Sequence, residues 1–163
     1  MDMPVVKNIL DNYWDWTLPV NIESIAQKLN INVLTLNPFA PEHNGVSGLA
    51  EIKDNGKFIY SNSFDSERRK RFTLAHELGH HMLGHVTPSN PMFRDNVNSF
   101  SSSSNSWLET QANEFAAEML MPYVAIDFLR NNQGISNIAK LADIFNVSEA
   151  AMYYRLKNLG LTY

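Results

Sequence analysis

Residues 66–85 read SERRKRFTLAHELGHHMLGH, and this stretch says most about the fold and the chemistry of the chain. Serine commonly begins a helix and glycine commonly follows its end, so Ser66 and Gly84 predict a helix between them. Within that helix, residues 76–80 (HELGH) match the pattern H-E-x-x-H. The stretch therefore predicts a helix that carries reactive side chains on one face.

The H-E-x-x-H spacing has a chemical reason. Residues four apart lie on one face of a helix, so the imidazoles of His76 and His80 can reach a single ion. Glu77 then sits beside the ion without having to bind it, and can take a proton from metal-bound water. The pattern predicts His76 and His80 as zinc ligands and Glu77 as the catalytic base.

Two histidines do not complete a catalytic zinc site, which takes three protein ligands and an open position. The chain has no cysteine, so the third ligand must be another histidine or a carboxylate. His81 points about 100° away around the helix, and His85 faces the opposite side if the helix continues that far. His43 lies upstream in a loop, and spacing alone does not exclude it.

A carboxylate on a second predicted helix is the better candidate for the third ligand. Residues 107–116 read WLETQANEFA, which places Glu109 and Asn113 four apart on one face. Glu109 can bind the metal while Asn113 orients a ligating histidine through a hydrogen bond. In the alternative, Ser106 and Glu109 form a capping box that only closes the helix start. The residues alone leave both open; Glu114 and Glu118 are competing carboxylates that we expect to be solvated.

Composition limits the classes of protein that fit. The 163 residues suffice for one compact domain with a small helical appendage. A net charge of −4 disfavours a surface that tracks nucleic-acid phosphates. The first residues lack the pattern of a secretory signal, and no apolar stretch reaches the roughly 20 residues that span a bilayer. We expect a cytoplasmic protein without direct nucleic-acid or membrane binding.

The rest of the chain alternates short helices, strands and turns. Apolar residues at helical spacing predict helices over residues 3–12, 22–29, 107–121 and on to about 130, and a helix-turn-helix pattern over 135–160. Polar and apolar residues alternate over 30–36, which predicts a strand, and 46–62 predict a hairpin. Residues 87–105 contain prolines, asparagines and four consecutive serines, which indicate a loop.

Two blocks, RFTLAHELGHHMLGH and ETQANEFAAEMLMP, resemble the characteristic segments of the ImmA/IrrE family of zinc metallopeptidases. The resemblance implies zinc held by His76, His80 and Glu109, with Glu77 as general base and acid and Asn113 hydrogen-bonded to a ligand. It also implies an α+β fold, gluzincin-like, with a small antiparallel or mixed sheet packed on the H-E-x-x-H helix. We expect a zincin-like domain over 1–130 and a helix-turn-helix-like unit over 131–163 packed on it.

The same resemblance implies a function. Family members cleave or inactivate helix-turn-helix repressors, often of phages or mobile elements, so we expect a zinc endopeptidase acting on an Xre-type repressor or an antitoxin encoded nearby. One alternative is a module that sequesters its partner without cutting it. Another is DNA binding through the C-terminal unit, although Asp143 and Glu149 offset much of the charge of Lys140, Arg155 and Lys157.

Two details of a peptidase mechanism stay open in the sequence. An oxyanion donor is expected near the metal, and His81, His85, Arg71 and Tyr123 are all near it along the chain. A substrate strand is expected to pair with an exposed sheet edge. For that edge we predict the strand at 57–62 or its hairpin partner, with the serine-rich loop as a lid.

Overall fold

The structure, a computed structural model, describes residues 3–96 and 106–162. Over these residues the chain forms seven α-helices and four β-strands, in agreement with the predicted α+β class. In chain order the elements are α1 (Pro4–Tyr13), α2 (Ile22–Lys28), β1 (Ile31–Thr35), β2 (Val46–Lys53), β3 (Gly56–Ser61), α3 (Glu67–Met82), β4 (Met92–Asn96), α4 (Ser106–Leu120), α5 (Tyr123–Asn131), α6 (Ile138–Phe145) and α7 (Glu149–Asn158). None of these helices combines the length and apolarity that crossing a membrane requires.

The strands form one mixed sheet in the order β1-β3-β2-β4. β2 and β3 are the predicted hairpin, paired antiparallel from Gly48 opposite Ser61 to Lys53 opposite Gly56. β1 runs parallel to β3, and the connection between the two strands contains β2. The predicted small mixed sheet is therefore confirmed.

The fourth strand was not predicted. Residues 92–96 lie inside the stretch predicted as a loop, yet they pair antiparallel with β2. The pairing comes from the open edge of β2, a tertiary partner that local sequence cannot reveal. It also leaves β2 and β3 with neighbours on both sides, so the prediction that one of them offers a free edge to substrate is wrong. The four serines predicted as a lid lie outside the described residues.

α3 lies on the sheet and against α4, and this packing positions the site. Leu74, Ala75 and Leu78 of α3 are buried in the main hydrophobic core together with Phe115 of α4. A Cβ added to Gly79 would lie 3.0 Å from Cδ1 of Phe115, so the two helices approach closely at that turn. The helix with the two histidines therefore faces the helix with Glu109.

Arginine side chains join the C-terminal helices to the rest of the molecule. Arg68 donates to the Val147 carbonyl at 2.8 Å and to Oδ1 of Asp143 at 2.6 Å. Arg71 donates to the carbonyls of Asn146 and Phe145, which follow or end α6. Arg68 and Arg71, which precede the H-E-x-x-H motif on α3, thus anchor α6 and the turn that follows it. The division into units 1–130 and 131–163 stays a prediction.

Candidate metal centre

Two imidazoles meet on the inner face of α3. Ser66 caps the helix by accepting the Arg69 amide, and the regular turns that follow place His76 and His80 on one face. Their Nε2 atoms are 3.1 Å apart, and both side chains are buried. The helix thus delivers two nitrogen ligands to one point.

Glu109 of α4 brings the third candidate ligand to the same point. Its Oε2 lies 3.2 Å from Nε2 of His76, and its Oε1 lies 3.6 Å from Nε2 of His80. One ligand atom from each of the three residues falls within 4.8 Å of the others. Both oxygens face the imidazoles, which favours the ligand interpretation of Glu109 over the helix-capping one.

Asn113 determines the tautomer of the His76 imidazole. Its Oδ1 lies 2.9 Å from Nδ1 of His76. An amide oxygen only accepts hydrogen bonds, so Nδ1 carries the proton and Nε2 keeps its lone pair. That lone pair faces His80 and Glu109, where a metal ion would need it.

His85 orients the imidazole of His80, a contact that residue spacing along the helix did not predict. α3 ends at Met82 and Gly84 takes φ +76°. The amide of His85 then returns to the His80 carbonyl at 2.9 Å, and that of Gly84 to His81, which is a Schellman turn. His85 therefore folds back with its Nδ1 2.8 Å from Nδ1 of His80. The signal in the sequence was the helix-ending glycine.

Gln111 determines which nitrogen atoms of His85 and His80 carry protons. Its Oε1 lies 3.1 Å from Nε2 of His85, so that nitrogen must carry a proton. Burial lowers the pKa of His85, which keeps the ring neutral at pH 7 and leaves Nδ1 as an acceptor. Nδ1 of His80 then donates to it, and Nε2 of His80 keeps its lone pair. Two separate sets of hydrogen bonds, one from Asn113 and one from His85 and Gln111, thus leave the Nε2 lone pairs of His76 and His80 facing Glu109.

This donor set fits a metal ion. One ligand atom from each of two imidazoles and a carboxylate lies within 4.8 Å of the others, and three protein ligands of these types are what a catalytic metal site with one open position requires. Without sulfur, the set is one that divalent metals accept. The His-His-Glu group could therefore hold a metal ion.

Glu77 lies between α3 and β2 with no solvent exposure. A Cβ built on Gly48 would be 2.1 Å from its Oε1 and 2.7 Å from Cγ2 of Thr73. The Glu77 carboxylate thus occupies space that any other residue at position 48 would fill. Gly48 lies in the predicted hairpin, whose pattern gives no sign that this glycine makes room for the predicted base.

The predicted oxyanion donors make other contacts. Nε2 of His81 lies 2.9 Å from the Phe58 carbonyl, and Arg71 binds the end of α6. Tyr123 donates to Asp127 on its own helix at 3.5 Å. His85 contacts His80 as described. The described contacts therefore assign none of the four to an oxyanion.

The other ligand candidates also lie elsewhere. His43 accepts a hydrogen bond from the Asn37 amide at 3.0 Å and is not part of the His76–His80–Glu109 group. Glu114 is exposed, as predicted. The prediction that Glu118 is solvated is wrong: it is buried, accepts the Met3 amide at 2.8 Å and lies 3.9 Å from Arg155. The reason is that Glu118 faces α1 and α7, which cover it.

The protein is a small α+β protein with the architecture of a minimal metallopeptidase. Three features show this: a mixed sheet, a helix with the H-E-x-x-H motif, and a carboxylate supplied by the next helix. The comparison with protein families agrees. Residues 26–157 match the model of Peptidase_M78, described as the IrrE N-terminal-like domain. Because the match covers most of the chain, the protein belongs to this peptidase family, and the resemblance seen in the sequence is confirmed.

A curated relative comes from a phage. The chain is 29% identical over 113 residues to the uncharacterized immunity region protein 2 of Bacillus phage phi105. The aligned stretch covers 69% of this chain and 66% of that protein, just under two thirds of its length.

Proposed function

We propose that the protein is a zinc-dependent endopeptidase whose metal is held by His76, His80 and Glu109. The observation that carries the proposal is the convergence of the two Nε2 atoms and the Glu109 carboxylate within 4.8 Å. A set of two nitrogens and one oxygen with an open position is the usual ligand set of zinc in hydrolases. Membership of a peptidase family supports the same reaction.

The chain's own residues account for the proton transfers. When bound there, zinc supplies Lewis acidity that polarises a peptide carbonyl and lowers the pKa of water in the site. Glu77 accepts a proton from water at its carboxylate while the water oxygen bonds to the carbonyl carbon. As the C–N bond breaks, Glu77 returns that proton to the leaving amine nitrogen. Asn113 and the His85–Gln111 pair hold the ligands in the tautomer that this chemistry needs.

We further propose a helix-turn-helix repressor or an antitoxin, encoded nearby and present in the cytoplasm, as the substrate. The phage relative supports this assignment, since the name of that protein refers to an immunity region. Family resemblance in the two motif blocks points to the same class of substrate. The proposal covers the substrate class and leaves the scissile sequence to experiment.

Co-expression with the neighbouring repressor tests the proposal. Wild type should produce discrete repressor fragments, identified by intact-mass analysis, and Glu77→Gln should produce none. Loss of a general base or nucleophile in other hydrolases lowers the rate by about 10⁴-fold or more, which would remove fragments from view. The control is the zinc content of purified Glu77→Gln, which should equal that of wild type because Glu77 is not a ligand. An uncut repressor that co-purifies with both forms would refute cleavage and establish sequestration.

The DNA-binding alternative loses support from α7. Arg155, one of the few basic residues of the C-terminal unit, is buried and donates to the Met121 carbonyl at 3.1 Å. A buried arginine cannot contact phosphates, which supply most of the affinity of proteins for DNA. Salt-dependent binding to duplex DNA would restore this alternative.

A further inference from the structure

Two cavities lie side by side between α7 and the helices of the metal centre. One, of about 380 Å³, extends from the start of α3, and the other, of about 420 Å³, extends along α4. Phe72 and Ala151 line both cavities, so the two meet at these side chains. Together they form one groove, which we call the α7 groove.

The α7 groove borders the metal centre through residues that contact or flank the proposed ligands. Asn113, which orients His76, lines it, as does Thr110, the residue after Glu109. Phe72 lines it too, and its ring centroid lies 6.4 Å from that of His76. On the other side Thr73 lines it one turn before Glu77. A chain lying in this groove would contact the residues that flank His76, Glu77 and Glu109.

One face of α7 forms the outer wall. The lining residues of this helix recur at helical spacing, which puts them on a single face; they are Ser148, Ala151, Tyr154, Arg155 and Asn158. Tyr154 is 60% exposed, so its ring stands at the rim. Ala151, the smallest side chain of the wall, lies where the two cavities meet. A larger residue there would divide the groove.

The surface of the groove matches a peptide with a large apolar side chain. Its apolar lining residues are Phe72, Ala117, Met121 and Ala151, while Thr110 and Asn113 offer polar groups to a peptide backbone. Charged side chains line it as well, namely Arg68, Arg69, Glu114 and Arg155. A volume near 400 Å³ lies within the range of pockets that take a whole side chain or small ligand. Where Phe72 and Ala151 line both cavities, the lining is apolar, and such a surface selects a side chain by its size and apolarity.

We propose that α7 forms one wall of the substrate cleft and that Ala151 and Tyr154 select a large apolar side chain of the substrate. The inference rests on the proposed peptidase function, which it deepens by assigning a specificity role to the C-terminal helix. Ala151 sets the space available in the subsite, and Tyr154 covers the bound side chain from the rim.

A degenerate peptide library, with products identified by mass spectrometry, tests the role of Ala151. Wild type should prefer leucine, phenylalanine or methionine at one subsite. Ala151→Trp fills the groove, so that subsite should shift toward alanine and serine by about tenfold or more in relative kcat/KM. The matched control is Ala150→Trp, since Ala150 is exposed on the same helix and lines neither cavity. Its preferences should equal those of wild type.

A second pair of variants keeps the test independent of how well a buried tryptophan is tolerated. Tyr154→Ala removes an exposed ring and should raise KM for the selected peptides with little change in kcat, while the exposed neighbour Tyr153→Ala should not. A wild type that cleaves peptides with preferences that neither Ala151→Trp nor Tyr154→Ala alters would overturn the inference and leave the peptidase function standing. A wild type that cleaves no library peptide and no repressor would overturn both.

Discussion

At the scale of single residues, the tautomers of two histidines decide whether the site can bind a metal. A neutral imidazole offers one lone pair, and a hydrogen bond to the other nitrogen determines where that lone pair lies. Oδ1 of Asn113 and the His85–Gln111 pair accept from Nδ1 of His76 and His80, respectively. Both Nε2 atoms thus become available before any ion arrives.

A single methyl group added at Gly48 should lower the rate of cleavage without changing metal binding. β2 is held by β3 and β4 on either side of it, so the new Cβ of Gly48→Ala must displace the Glu77 carboxylate. We expect cleavage to fall by at least about 10²-fold, as when a catalytic group is misplaced. Zinc content, which depends on other side chains, should stay at the wild-type level. The overpacking should cost about 1–3 kcal/mol of unfolding free energy.

The double variant Gly48→Ala, Thr73→Ser identifies the cause of that loss. Serine removes the Thr73 methyl group, the other atom that the new Cβ would meet at 2.7 Å. If displacement of Glu77 causes the loss, the double variant stays inactive. Recovery of repressor cleavage, measured beside zinc content, would instead assign the effect to packing at Thr73.

At the scale of elements, the turn after α3 brings His85 back to His80. Gly84 and Gly160 end α3 and α7 with the same Schellman turn, at φ +76° and +69°, and a Cβ at either position would meet nothing within 4 Å. Alanine in this conformation costs about 1–2 kcal/mol, so Gly84→Ala and Gly160→Ala should lower the free energy of unfolding similarly.

Only one of these two variants should affect the metal. Gly84→Ala strains the turn that places His85, and loss of such a partner typically weakens metal affinity by about 10–100-fold. Gly160→Ala has the same backbone cost, but the turn after α7 positions no proposed ligand and no hydrogen-bond partner of one, so its affinity should equal that of wild type. Chelator competition measures both affinities. Equal affinities in the two variants would show that the turn does not orient His80.

The elements also show what the sequence could predict. Helix periodicity and the hairpin turn are local signals, and the structure agrees with them to within a few residues at α1, α3 and the β2–β3 hairpin. β4 forms only because β2 has an open edge, and His85 reaches His80 only because the chain reverses at Gly84. Both depend on tertiary contacts, which neither the loop-like composition of residues 87–105 nor spacing along one ideal helix reveals.

At the scale of the whole molecule, the metal centre joins the two helices on which the fold depends. α3 and α4 supply the three proposed ligands, and the same helices bind α6 and α7 through Arg68, Arg71 and the Met121 carbonyl. Buried residues of α3, α4, α6 and α7 belong to one hydrophobic core. A metal ion that stabilises the packing of α3 on α4 should therefore also stabilise the C-terminal helices against unfolding.

Metal removal should accordingly shift the unfolding of the entire chain. Zinc at 100 times its Kd stabilises the folded state by about 2.7 kcal/mol, which for a protein of this size raises Tm by about 5–10 °C. Scanning calorimetry should show one transition with zinc and one, at lower temperature, after chelation. Glu109→Ala, which lacks a ligand, should respond much less to either treatment. Two transitions, of which zinc shifts the temperature of only one, would show that residues 131–163 unfold independently of the metal centre. A single transition that zinc shifts would show that residues 131–163 and the metal centre form one cooperative fold.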